Sequence, residues 1–135
     1  MLEKLKTHFY SFLLELGYNI TDNGNYEEHF PWLILRTNGY SVLNSFNMKV
    51  GKATLVLDIF SQYQGEKEII QIIENIEEHL IDFIEMYPDV LYGYQKGLKI
   101  LDDNNTGIVK KHGVASYEFL LGEGLIMEEQ EDDGV

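Results

Sequence analysis

The chain contains no cysteine. That absence removes disulfides, thiolate zinc sites and cysteine nucleophiles together, and it fits a protein that matures in a reducing compartment. No uncharged apolar run approaches the roughly 18 residues needed to cross a bilayer, so a soluble protein is expected. The N-terminal stretch MLEKLKTHFYSFLLELGY carries Glu3, His8 and Glu15 among its apolar residues. It therefore lacks the unbroken apolar centre of a signal peptide and reads as part of the fold. Positive charge is scarce: 10 Lys and Arg stand against 23 Asp and Glu, a net charge of -13. Duplex-binding proteins neutralise phosphates with Lys and Arg, so sequence-specific DNA binding is disfavoured. Internal repeats are also missing; Glu-Glu-His occurs twice, ending at His29 and His79, within patterns of different type.

What is present suits one core. A chain of 135 residues that is 44% hydrophobic is long enough for a single buried domain and too short for two. Leu2, Leu5, Phe9, Phe12, Leu13 and Leu16 recur at helical spacing, and Gly17 follows as a stop, which predicts a helix over Leu2 to Leu16. Tyr18 to His29 reads as a connector and Phe30 to Thr37 as a strand, with Pro31 at its start. Asn38-Gly39 is a strong hairpin-turn signal, and Val50-Gly51-Lys52 is a second possible turn, so a meander is expected. Ala53 to Phe60 is partly apolar on both faces, as in a central strand.

From Glu66 a stripe of Ile69, Ile73, Ile76, Leu80, Phe83 and Tyr87 predicts the main helix, which Pro88 ends. Leu91 to Leu101 and Ile108 to Leu121 form a second alternating pair around a turn. The predicted fold class is α+β: an antiparallel sheet, made of the meander and a C-terminal hairpin, with an N-terminal helix and a long central helix packed on it. One domain is expected over residues 1–124, followed by an acidic, flexible tail over 125–135.

Chemistry is harder to find. His8, His29, His79 and His112 fall on four predicted elements, without the spacing of a zinc motif, so no metal site is expected. The serines carry no Gly-x-Ser-x-Gly elbow. Asp58 is the one carboxylate in an apolar strand; burial could raise its pKa for acid-base work, or it could serve as a hydrogen-bonded structural partner.

The joint SQYQGEKE, from Ser61 to Glu68, has a single glycine and neither phosphate-loop pattern. Glu66 and Glu68 in the first helical turn would repel an arriving phosphate, so the joint is expected to be structural, with Asp58, Ser61 and Gly65 fixing it and Ser61 with Gln64 as a capping pair. Tyr87, Tyr92, Tyr94 and Tyr117 near Lys96, Lys99, Lys110 and Lys111 offer a stacking site for single strands, although aromatics on alternating strands serve core or interface more often.

The strand-to-helix passage LVLDIFSQYQGEKEIIQIIENI, together with the N-terminal helix, FPWLILRT and HGVASYEFLL, resembles the tail completion, or tail-to-head joining, proteins of siphophages and related prophages, kin to tail terminators. The resemblance spans most of the chain, and the middle passage carries most of it. It implies an α+β fold without catalysis or cofactor. It further implies a ring, six-fold, that caps the head-proximal end of the tail tube, meets the head connector and lets DNA pass its lumen without specific binding. Such a protein resides in the virion and is assembled in the bacterial cytoplasm. Carboxylates lining that lumen would repel phosphates, which would account for the acidity.

The acidic end EEQEDDGV and the segment NGYSVLNSFNMKVG match no feature of the family. The second of these is expected to reach a neighbouring subunit, with Asn38, Gly39, Tyr40, Asn47, Lys49 and Gly51 as interface residues. The alternative is a small ligand- or peptide-binding module with its pocket between the main helix and the sheet. A weak enzyme using Asp58 ranks behind both.

Overall fold

In the computed structural model, residues 2–21, 29–45, 48–103 and 107–122 are described. Helix α1 (Leu2–Glu15) leads to strand β1 (Asn19–Thr21), then β2 (Trp32–Ser45) and β3 (Met48–Ser61). Helix α2 (Lys67–Met86) and strands β4 (Val90–Asp102) and β5 (Lys111–Leu121) complete the chain order. The five strands form one sheet in the order β1-β2-β3-β5-β4, in which only the β1–β2 pair is parallel. The α+β class, the mostly antiparallel sheet and both helices agree with the reading of the sequence.

Alternation along the strands decides which face is covered. Ala53, Leu55, Leu57 and Ile59 of β3 are fully buried, as are Leu33 and Leu35 of β2 and Ala115, Tyr117, Phe119 and Leu121 of β5. Onto this face α1 places Leu5, Phe9, Phe12 and Leu13, and α2 places Ile69, Ile72, Ile73, Ile76, Leu80 and Phe83. Phe9 is at the centre: its ring lies 5.2–5.6 Å from those of Phe12, Phe83, Tyr117 and Phe119. These are tilted, edge and offset pairings, each adding to the burial itself. At Gly113 a Cβ would stand 2.7 Å from Ile69 Cγ2, so the missing side chain lets the first turn of α2 settle directly on β5.

The helix ends follow the local chemistry. Gly17 adopts φ +94°, and Tyr18 N–H donates to Leu13 O at 3.3 Å, closing α1 at the glycine that marks it in the sequence. At the other terminus of α2, Tyr87 N–H donates to Phe83 O at 3.2 Å and Pro88 prevents a further turn.

Tyr117 is an exception within the core. Its hydroxyl is buried and finds no hydrogen-bonding protein group among the described residues, and burial, followed by the negative charge of Glu77, pushes its pKa far up. Tyr117→Phe should therefore leave stability unchanged or raise it by about 1 kcal/mol, because a buried hydroxyl without a partner costs desolvation that the phenyl ring does not. Urea denaturation measures this; a loss above that size would show that the hydroxyl is bonded.

Three features differ from the sequence reading. Asn38-Gly39 does not turn the chain but forms a bulge inside β2: the register slips between Thr37 and Gly39, and Gly39 takes φ +148°. A glycine at positive φ serves a bulge as well as a turn, and here the pairing with β3 simply continues past it to Ser45. Gly51 is likewise inside a strand, buried and paired with both Val42 and Leu121. The meander is thus one long hairpin, paired as far as Ser45 with Met48. Finally, the predicted connector begins with strand β1, whose Ile20 is buried and whose Asn19 side chain donates to His29 O at 2.8 Å. The predicted acidic tail, 125–135, lies outside the described residues.

Candidate functional site

At the strand-to-helix joint, β3 ends on Ser61, which is fully buried. Its hydroxyl donates to Glu68 Oε1 at 2.7 Å and accepts from Tyr63 N–H at 3.2 Å, while Lys110 N–H donates to Ser61 O at 2.8 Å. One serine thus ties the strand, the joint and the first turn of α2. Ser61 bonds the side chain of Glu68 rather than pairing with Gln64 as a cap, and the helix's own N-cap, Glu66, makes no side-chain capping bond. Gly65 is exposed with open space around it. Beside the joint is an open groove of about 420 Å³ lined by Tyr63, Gln64, Gly65, Lys67, Glu68 and Gln71. The carboxylate of Glu68 is already engaged there by Ser61. The space between α2 and the sheet, where the alternative reading put a pocket, is filled by the core side chains.

Asp58 belongs to a different place. It is three residues before the joint and on the opposite face of β3 from Leu57 and Ile59, among partners that sequence spacing could not reveal. Arg36 Nε donates to its Oδ2 at 2.7 Å, and His112 Nε2, in the tautomer carrying hydrogen there, donates to its Oδ1 at 2.9 Å. Burial pushes the Asp58 pKa up, but the hydrogen bonds from His112 and Arg36 and their charge outweigh it, and the carboxyl is held below its ordinary value of 3.8. A carboxylate so held stays ionised, the opposite of the raised pKa that acid-base work at neutral pH would need.

This has a measurable consequence. A depressed folded-state pKa gives stability that is complete above the unfolded value and lost as pH falls through the folded one. Asp58→Asn should cost about 1–2 kcal/mol at pH 7, the lower end of a charge-assisted network because Arg36 is half exposed. The gap between the two proteins should close below pH 3.8. Denaturant titrations at pH 7 and in acid measure it, and a gap independent of pH would contradict the assignment.

A second buried carboxylate shares that face. Glu118, 3% exposed, receives Lys52 Nζ at 2.8 Å, Lys96 Nζ at 3.9 Å and a hydrogen bond from the Tyr94 hydroxyl. Next to Asp58, Trp32, Phe60 and His112 form a continuous row of rings, 5.1 and 4.5 Å apart. Of the tyrosines considered for stacking, Tyr92 and Tyr94 are exposed on β4 with ring centroids 5.7 Å apart, Tyr87 stacks on His8, and Tyr117 is core. No group of three metal-ligating side chains occurs among the described residues. Nor is any helix among them long and apolar enough to cross a membrane.

The third place is the β2–β3 hairpin. The last β3–β5 pair is Gly51 with Leu121, and Val42 pairs with Gly51 in that same row, so Leu43–Ser45 and Met48–Val50 continue beyond it as a two-stranded arm. Leu43 is 59% exposed and Val42 36%. Among the described residues the outer edge of β2 is paired only over Trp32–Ile34, with β1, and the chain carries no charged residue from Thr37 to Met48. Edges left long and uncharged are unusual, because natural proteins guard them with charge, proline or a covering element. The opposite edge, β4, is guarded in that way by Lys96, Lys99 and two bulges.

Of the expected interface residues, Asn38, Gly39 and Tyr40 sit on β2 past its pairing with β1 and Lys49 on the arm, whereas Gly51 is buried at its base. Asn47 lies outside the described residues. The exposed Val42 and Leu43 were missed; their signal was present, since apolar residues between two turn signals have no core to face if those turns do not form. No protein-family model matches the chain, and no curated protein matches it.

Proposed function

We propose that this chain is a non-enzymatic virion assembly protein that forms a ring on the head-proximal end of a phage tail tube and joins the tail to the head connector. The observation that supports assembly is the projecting hairpin: an uncharged strand edge and exposed Val42 and Leu43 offer a neighbour main-chain hydrogen bonds and apolar contact together. The choice of a tail as the assembly rests on the resemblance of LVLDIFSQYQGEKEIIQIIENI to completion proteins. In this reading Ser61 and Glu68 hold α2 at a fixed angle to the sheet, so that arm and helix are presented as one rigid unit.

Co-sedimentation with tail tubes tests it. The protein should pellet with tubes at a fixed small number of copies per tube, independent of tube length, as an end-binding ring requires; binding in proportion to length would overturn it. A second reading, a small peptide- or ligand-binding module, is favoured only by the groove at the joint. A ligand-dependent rise in melting temperature abolished by Tyr63→Ala and Gln71→Ala would support that reading instead.

A further inference from the structure

Among the described residues the sheet is covered on one face only, and its open face differs in charge from the chain as a whole. Asp58, Val56 and Lys52 of β3 share that face with Val114 and Glu118 of β5, which pair with Lys99 and Tyr94 of β4. Four cations, Arg36, Lys52, Lys96 and Lys99, stand there against two buried carboxylates, Asp58 and Glu118, leaving a surplus of two positive charges on a chain whose net charge is -13. The buried carboxylates draw three of those cations into fixed positions while leaving them about half exposed.

The opposite side of the molecule is its complement. On the outer surface of α2, Glu74, Glu77, Glu78, Asp82 and Glu85 are exposed, and Ile70 and Ile81, 39% and 62% exposed, lie among them.

We propose that the outer face of α2 in one copy packs on the open sheet face of the next copy, so that the chain associates head to tail. The lengths agree: a helix of 20 residues is about 30 Å long, and Lys52 to Phe60 along β3 spans about the same. The apolar parts agree, with Ile81 set on the partly exposed Ile34 and Val114, which flank Asp58 in one cross-strand row. The charges agree in sign, which steers encounter and sets register. Laid there, the helix gives the sheet a second covering layer that no described element of its own chain supplies. A contact between two different surfaces of one chain closes into a ring when its rotation closes, and otherwise continues as a filament. The inference deepens the ring reading above and rests on it for closure.

The test uses the absence of cysteine. Full-length Glu78→Cys and Lys99→Cys proteins are purified separately, mixed, and treated with a short bis-maleimide. The expected result is a cross-linked pair containing one of each variant, at least tenfold more abundant than either homodimer and suppressed in about 1 M salt, where the Debye length is about 3 Å. Equal yields of all pairs, or none, would overturn the contact. A second measurement does not depend on cysteine placement: Lys99→Glu should weaken self-association in sedimentation about tenfold, and mixing it with Glu77→Lys/Glu78→Lys should restore it.

Protection of Lys99→Cys by a single-stranded oligonucleotide would assign the face to nucleic acid instead. Cross-linking seen only after removal of residues 123–135 would assign it to that acidic segment. Either result overturns the proposal. Tubes capped normally by protein that never cross-links would keep the ring and remove this contact, whereas cross-linking without capping would do the reverse.

Discussion

Phe9→Ala is expected to lower stability by about 3–5 kcal/mol, the range for deleting a large aromatic from a packed core. Phe9 is fully buried and its ring meets those of Phe12, Phe83, Tyr117 and Phe119, which come from both helices and β5. No single neighbour can move into the space without leaving another, so the cavity should persist. The midpoint of thermal unfolding should fall by about 10 °C or more. Guanidinium denaturation followed by circular dichroism measures the change. A loss below about 1 kcal/mol would mean that α1 does not seat on the sheet as described, because Phe9 is its deepest anchor.

The second large effect is on assembly rather than folding. Val42→Asp/Leu43→Asp should leave unfolding free energy within about 0.5 kcal/mol of the parent, since both side chains are exposed, Val42 in the last row shared with β5 and Leu43 beyond it. The same pair should reduce capping of tail tubes at least tenfold. Two carboxylates placed on an uncharged edge desolvate poorly and would repel the copies proposed to meet there. Pelleting with tubes, measured on protein shown to melt normally, separates the two effects. Undiminished capping would remove the arm from the interface and leave the free edge without a role.

Much of this molecule could be read from periodicity. The 3.6-residue stripes of α1 and α2, the glycine after α1, Pro88 after α2 and the alternation in Ala53 to Phe60 each point to one element, and each element is there. Local signals failed where a long-range pairing decided. Asn38-Gly39 and Gly51 are turn chemistry by composition, but pairing along the whole length of β2 and β3 makes one a bulge and the other a paired strand residue. The partners of Asp58 were invisible for the same reason: Arg36 is 22 positions away and His112 is 54, and only sheet register brings them together. The charge of the open face was hidden in a composition of 23 Asp and Glu against 10 Lys and Arg. Ser61 was legible as a joint residue because its partner, Glu68, is one short turn away.

The central claim is a ring at the tail end, and its most direct test is electron microscopy of tail tubes incubated with the purified protein. The expected result is a ring of density on one tip only, the head-proximal one, with an open lumen, lost with the Val42→Asp/Leu43→Asp protein and retained with Tyr117→Phe. Bare tips, or density spread along the tube wall, would contradict it.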